Sequence, residues 1–294
     1  MNKKKVMMIT VSAIVAVCLY IFYNENNVQD YPQEDSATEE QNQSTEEEST
    51  DIEEEQTEDQ EQNSSSGIRE TVTGVVKEAL RIFQKDTHIV AIGDSLTQGV
   101  GDETGNGGYI GILEERLRNE NQKVTIDNFG KRGNRTDQLL KRLESEEIIQ
   151  SLGKADIVLI TIGSNDIMKI VKDNFMHLTE EPFQQERQPY RQRLEQILST
   201  ITSIQPEAEI YLLGLFNPFE KYFRDIQALD NILNRWNEEG RQASFQYEQV
   251  TFVPLQGIYN EQTENVFADD NFHPNHSGYE MIANRVLTYL QNDD

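Results

Sequence analysis

Apolar positions fall into three regimes along the chain. Val6 to Tyr23 is a run of eighteen uncharged, mostly apolar residues, Asn24 to Gly67 has almost none, and from Ile68 onward short apolar runs alternate with helical-period stretches. The short runs His88–Ile92, Val124–Asn128, Ile157–Ile162, Glu209–Gly214 and Val250–Pro254 read as strands. Helical spacing covers Tyr109–Asn121, Thr136–Gln150, Gln188–Ile204, Asp225–Tyr247 and Asn275–Leu290. Val72, Val75, Val76, Leu80, Ile82 and Phe83 add a lead-in helix over Ile68–Gln84. Five strands separated by helices predict a parallel sheet with helices on both faces.

The first regime, preceded by Lys3-Lys4-Lys5, is a helix of roughly 27 Å against a hydrocarbon layer of about 30 Å. It reads as an uncleaved signal anchor over residues 1–23, lysines inside and the remainder of the chain outside the cell. A cleaved secretory signal is the competing reading, but its apolar core is shorter and ends in a small-x-small site, which Cys18-Leu19-Tyr20-Ile21-Phe22-Tyr23 lacks. Cys18 follows Val17 and reads as a bilayer residue, not a lipidation site. It is the sole cysteine, so the outer part has neither a disulfide nor a thiol nucleophile.

The second regime, residues 24–67, carries sixteen Asp or Glu and no Lys or Arg. It cannot bury enough surface to offset its ordering entropy and reads as a disordered acidic spacer. Setting aside spacer and anchor reduces the formal charge from −26 to −13 for residues 68–294, one α/β domain. An acidic domain without a basic stripe argues against nucleic acid as a partner.

Polar clusters follow the predicted strands. Gly93-Asp94-Ser95-Leu96 ends the first, Asn128-Phe129-Gly130-Lys131-Arg132-Gly133 the second, Gly163-Ser164-Asn165-Asp166 the third, and Asp269-Asp270-Asn271-Phe272-His273-Pro274 precedes the last helix. Parallel topology puts all four on one rim, where open α/β sheets gather ligands. Ser95 is the candidate nucleophile, His273 the base that takes its proton, and Asp270 the carboxylate that fixes the imidazole tautomer. Asp269 is the alternative partner. The backbone N–H of Ser95, the backbone N–H of Gly133 and the side-chain amide of Asn165 are the candidate oxyanion donors. The choice between Gly130 and Gly133 stays open. This chemistry calls for no metal and no cofactor.

These four blocks, in this order, resemble those of the SGNH or GDSL hydrolases over about Ile89 to Leu290, most closely the YpmR-like lipase/acylhydrolase branch of Gram-positive bacteria. The resemblance implies a three-layer, flavodoxin-like sandwich with a five-stranded parallel sheet. It also implies an esterase, lipase, lysophospholipase, thioesterase or deacetylase activity carried by Ser95, Gly133, Asn165 and His273. The expectation is a membrane-tethered serine esterase acting outside the cell on a lipid or envelope-glycan ester. A non-catalytic glycan- or lipid-binding module and an acyltransferase are the alternatives.

Asp94 and Asp166 read as loop braces, Ser164 as a loop residue, and Asn275 as the cap of the last helix. His88, His177 and His276 read as surface or helix-start residues. Phe216, Phe219 and Tyr222, after the fourth strand, either line a substrate pocket or pack beneath their loop. Val171 to Gln188 forms either a lid over the cleft or the helix that leads to the next crossover.

Overall fold

Continuous apolar runs form strands buried on both faces, and alternate residues of such a strand serve opposite layers. In the computed structural model, which describes residues 86–119, 123–218, 227–260, 262 and 264–290, the first strand does this. Val90 and Ile92 enter one core and Ile89 and Ala91 the other, all fully buried. The signal-anchor, spacer and lead-in-helix readings lie outside the described residues. Among the described residues no helix is long and apolar enough to cross a membrane.

The strands are β1 (Thr87–Gly93), β2 (Val124–Gly130), β3 (Ile157–Thr161), β4 (Glu209–Leu213) and β5 (Val250–Val253). They form one sheet in the order β2-β1-β3-β4-β5 with every pairing parallel. The helices are α1 (Ser95–Gln98), α2 (Gly108–Asn119), α3 (Thr136–Arg142), α4 (Glu146–Leu152), α5 (Ser164–Asp173), α6 (Glu181–Ile204), α7 (Gln227–Ser244) and α8 (His276–Leu290). α2 and α8 cover one face of the sheet, and α3 to α7 contribute to the core on the other. The chain leaves β2 at one edge and re-enters on the far side of β1, so order reverses between β1 and β3, the switch point where such sheets bind ligands.

The elements differ from expectation in three places. The helix read over Thr136–Gln150 is two helices, α3 and α4, parted by Leu143, Glu144 and an extended Ser145. Leu139, Leu143, Ile148 and Leu152 are all buried. At about 100° per residue Ile148 would stand opposite Leu139 on an unbroken helix, and the break resets the phase. α6 begins at Glu181, not Gln188, because Pro182 sits in its first turn and Pro189 is accommodated inside. The Gly163-Ser164-Asn165-Asp166 cluster opens α5 instead of forming a loop, so Val171 belongs to α5.

Candidate active site

The serine turn is built from beneath. Gly93 has no Cβ because one would lie 2.0 Å from the Thr161 carbonyl oxygen of the neighbouring strand. Asp94 caps α1: its Oδ1 accepts from Leu96 N at 3.0 Å and from Thr161 Oγ1 at 3.0 Å. Burial pushes the Asp94 carboxyl up to about 6, against the lowering pull of those donors and of His273. Asp94 is thus a brace, and its cap holds Ser95 at the first turn, 7% exposed.

A hairpin-like turn after β5 presents the other partners. Phe267 and Pro274 form an antiparallel bridge, and Ala268 N donates to His273 O at 2.9 Å. Asn271 at the tip takes φ 55°, a conformation asparagine tolerates. Asp270 Oδ1 accepts the backbone N–H of both Phe272 and His273 at 2.9 Å, while Oδ2 lies 2.5 Å from His273 Nδ1. His273 Nε2 lies 3.0 Å from Ser95 Oγ across 178 residues of sequence. Burial disfavours the charge on Asp270, but the His273 contact and the two backbone donors outweigh it and hold the carboxyl below its ordinary range. With Asp270 on Nδ1, the neutral ring turns an unprotonated Nε2 to the serine hydroxyl.

The loop after β2 leaves one backbone donor open. Gly130 N donates to Asn128 Oδ1, Lys131 N to Gly93 O, Arg132 N to Gln98 Oε1, Asn134 N to Lys131 O, Arg135 N to Gln138 Oε1 and Thr136 N to Asp166 Oδ2. Among the described residues, Gly133 N alone in this stretch has no acceptor. Gly133 takes φ +75° with nothing within 4 Å of a notional Cβ, so both its backbone and its surroundings are open. Asn165 Nδ2 donates to Asn134 O at 3.0 Å, and an amide nitrogen carries a second hydrogen. Asp166, next along α5, braces this loop through Thr136 N at 3.0 Å and Thr136 Oγ1 at 2.5 Å.

Beside Ser95 and His273 a cleft opens to solvent, walled mostly by apolar side chains. Ser164, Ile167, Met168 and Val171 form one stripe of α5, Leu229 and Leu233 face it from α7, and Phe216 and Pro218 come from the loop after β4. Phe216 lines this cleft and also packs edge-on against Tyr259 at 5.3 Å. Phe219 and Tyr222 lie outside the described residues. The sequence reading missed Ser164, the α5 stripe and the α7 leucines, although the i, i+3, i+4, i+7 spacing of 164, 167, 168 and 171 was present as a signal.

Three other histidines stand apart. His276 opens α8 with Nδ1 3.3 Å from Asp102 Oδ1, and His88 Nε2 meets Asp127 Oδ2 at 2.9 Å. His177 ends a 3-10 turn, Phe175–His177. Asn275 Oδ1 accepts Gly278 N at 3.0 Å, which is the capping contact expected of it.

Residues 91–281 match the family model described as the GDSL-like lipase/acylhydrolase family. The chain is 35% identical over 209 residues to the uncharacterized protein YpmR of Bacillus subtilis (strain 168), covering 70% of this chain and 82% of that one. It is 24% identical over 201 residues to the spore germination lipase LipC of Bacillus licheniformis, covering 67% and 92%. The crystal structure of the lipase Lip_vut3 from a goat rumen metagenome has the same fold: TM-score 0.61 and 23% identity, covering 68% of this chain and 95% of that one.

Proposed function

The chain belongs to the GDSL-like lipase/acylhydrolase family and is a carboxylic ester hydrolase, and from that premise we propose that it cleaves esters of aliphatic acyl chains through an acyl-Ser95 intermediate. The observation that carries this reading is the hydrogen-bonded chain Asp270–His273–Ser95 at the mouth of an apolar cleft. Ser95 Oγ attacks the ester carbonyl as His273 Nε2 takes its proton, and Asp270 stabilises the imidazolium. The oxyanion meets the N–H groups of Ser95 and Gly133 and the Asn165 amide. Its collapse breaks the bond to the alkoxy oxygen, which leaves as the alcohol with the proton from His273. Water, deprotonated by His273, then attacks the acyl-enzyme; collapse breaks the acyl–Oγ bond, His273 returns the proton to Ser95 Oγ, and the acid leaves.

The acyl group fits the cleft by chemistry. The α5 stripe runs from Ser164 beside the nucleophile to Val171, a rise of roughly 10 Å, which suits a medium-length aliphatic chain. The lipase name of the Bacillus licheniformis relative agrees with that choice. The catalytic domain works outside the cell, tethered by residues 1–23 and spaced by residues 24–67; the support is the sequence pattern of those segments.

A fluorophosphonate probe tests the mechanism, since only an activated serine reacts. Wild-type chain labels and hydrolyses p-nitrophenyl octanoate, and Ser95→Ala does neither while staying folded. Unlabelled wild type, or a labelled Ser95→Ala, overturns the assignment. Retention in carbonate-washed membranes by the full chain, lost on deleting residues 1–23, tests the tether.

A further inference from the structure

Arg142, the last residue of α3, is half-buried and meets three acceptors, none of them a carboxylate. Nη1 lies 2.9 Å from Asn134 Oδ1 and 3.3 Å from Gly93 O, and Nη2 lies 2.7 Å from Phe129 O. Burial lowers the guanidinium pKa with no neighbouring charge offsetting it. A half-buried cation whose three acceptors are all neutral gains little from charge pairing, so its geometry is what distinguishes it.

Each acceptor frames the oxyanion donors. Gly93 is two residues before Ser95, Phe129 is near the end of β2, and Asn134 adjoins Gly133. Asn134 is buried at 4% exposure and is engaged on both sides: its Oδ1 takes Arg142, and its carbonyl takes the Asn165 amide. One planar fork therefore ties the end of β1, the end of β2 and the loop between two of the three donors. An error of about 1 Å in such an arrangement costs on the order of 10²-fold in rate.

We propose that Arg142 is a positioning residue that aims the Gly133 N–H and the Asn165 amide at the oxyanion by fixing Asn134, a role resting on the acyl-serine reading above. A lysine there keeps the charge but loses the fork, so charge and geometry separate in one substitution.

The test measures kcat and KM for p-nitrophenyl octanoate on the full chain, per active site titrated with a fluorophosphonate. Arg142→Lys lowers kcat by about 10-fold or more, within the 10²–10³-fold ceiling for losing one donor, with KM within about twofold. Asn134→Ala produces a similar loss, and the double variant loses much less than the product of the two, as residues in one network do. A per-site kcat within twofold of wild type for Arg142→Lys, or losses that multiply, overturns the proposal. Ser95→Ala is run alongside: residual turnover there defeats the acyl-serine reading itself, whereas silence there with an undiminished Arg142→Lys defeats the positioning role alone.

Discussion

Gly130, the last residue of β2, and Gly133, three residues on in the loop that follows, need glycine for opposite reasons. A Cβ on Gly130 would lie 2.2 Å from the Gln98 backbone nitrogen, whereas one on Gly133 would meet nothing within 4 Å. The first glycine is a packing contact between the end of β2 and α1; the second supplies an open N–H at φ +75°. Gly130→Ala is expected to cost about 3 kcal/mol or to prevent folding, because backbone on both sides must move. Gly133→Ala is expected to cost only ~1 kcal/mol of left-handed strain and to lower kcat more than stability. Urea denaturation and turnover of both variants decide it, and a fully stable Gly130→Ala contradicts the packing argument.

Asp270→Asn tests the tautomer. Its Oδ1 still accepts from Phe272 and His273, but an amide presented to Nδ1 stabilises the ring with its proton on the serine side. The expected loss in kcat is on the order of 10⁴-fold with little change in Tm. A loss below about tenfold contradicts the role given to Asp270.

How much of this was legible follows from the kind of signal. The inner strands β1, β3 and β4 were readable within a residue or two because burial on both faces leaves nearly unbroken apolar runs such as Ile89–Ile92. The polar blocks at their ends were readable because parallel topology gathers strand ends whatever the sequence separation. The break between α3 and α4 was not read, although the phase slip between Leu143 and Ile148 encodes it. Arg142 gave no signal, because a cation on a helix gives no sign of acceptors that are backbone carbonyls of other elements. The α5 stripe was hidden by reading Ser164 to Asp166 as a loop, which severed Ser164 from Ile167, Met168 and Val171.

Asp94 sets a pH dependence of stability. Burial raises its carboxyl from 3.8 to about 6, so the folded chain binds its proton more tightly than the unfolded chain. Stability therefore falls as pH rises from about 4 to about 6 and is flat above, by up to ~3 kcal/mol from this group. Asp166 is raised by burial and acts in the same sense, while the lowered Asp270 adds stability above the ordinary carboxylate range that is lost on acidification. The difference between wild type and Asp94→Asn isolates Asp94, since both neighbours are common to the two. The change in stability on going from pH 4 to pH 7, measured by denaturation, is expected to be more favourable in Asp94→Asn than in wild type, by up to ~3 kcal/mol; an identical change refutes the raised carboxyl.

If the acyl chain lies along the α5 stripe as proposed, Met168 is placed to limit its length. It lies on the cleft stripe four residues from Ser164, a rise of about 6 Å, and is only partly buried, so a larger side chain there is absorbed without overpacking the core. Met168→Trp is expected to fill the cleft midway, leaving room for acetyl beside Ser95 and none for a longer chain. The ratio of kcat/KM for p-nitrophenyl octanoate over acetate then falls by roughly 10–200-fold, the scale on which apolar pockets discriminate chain length. Acetate turnover itself stays within about threefold of wild type, because Ser95, His273, Gly133 and Asn165 are all retained. An unchanged ratio means the acyl chain leaves the nucleophile in another direction, and the α5 stripe is then wall without being the acyl site.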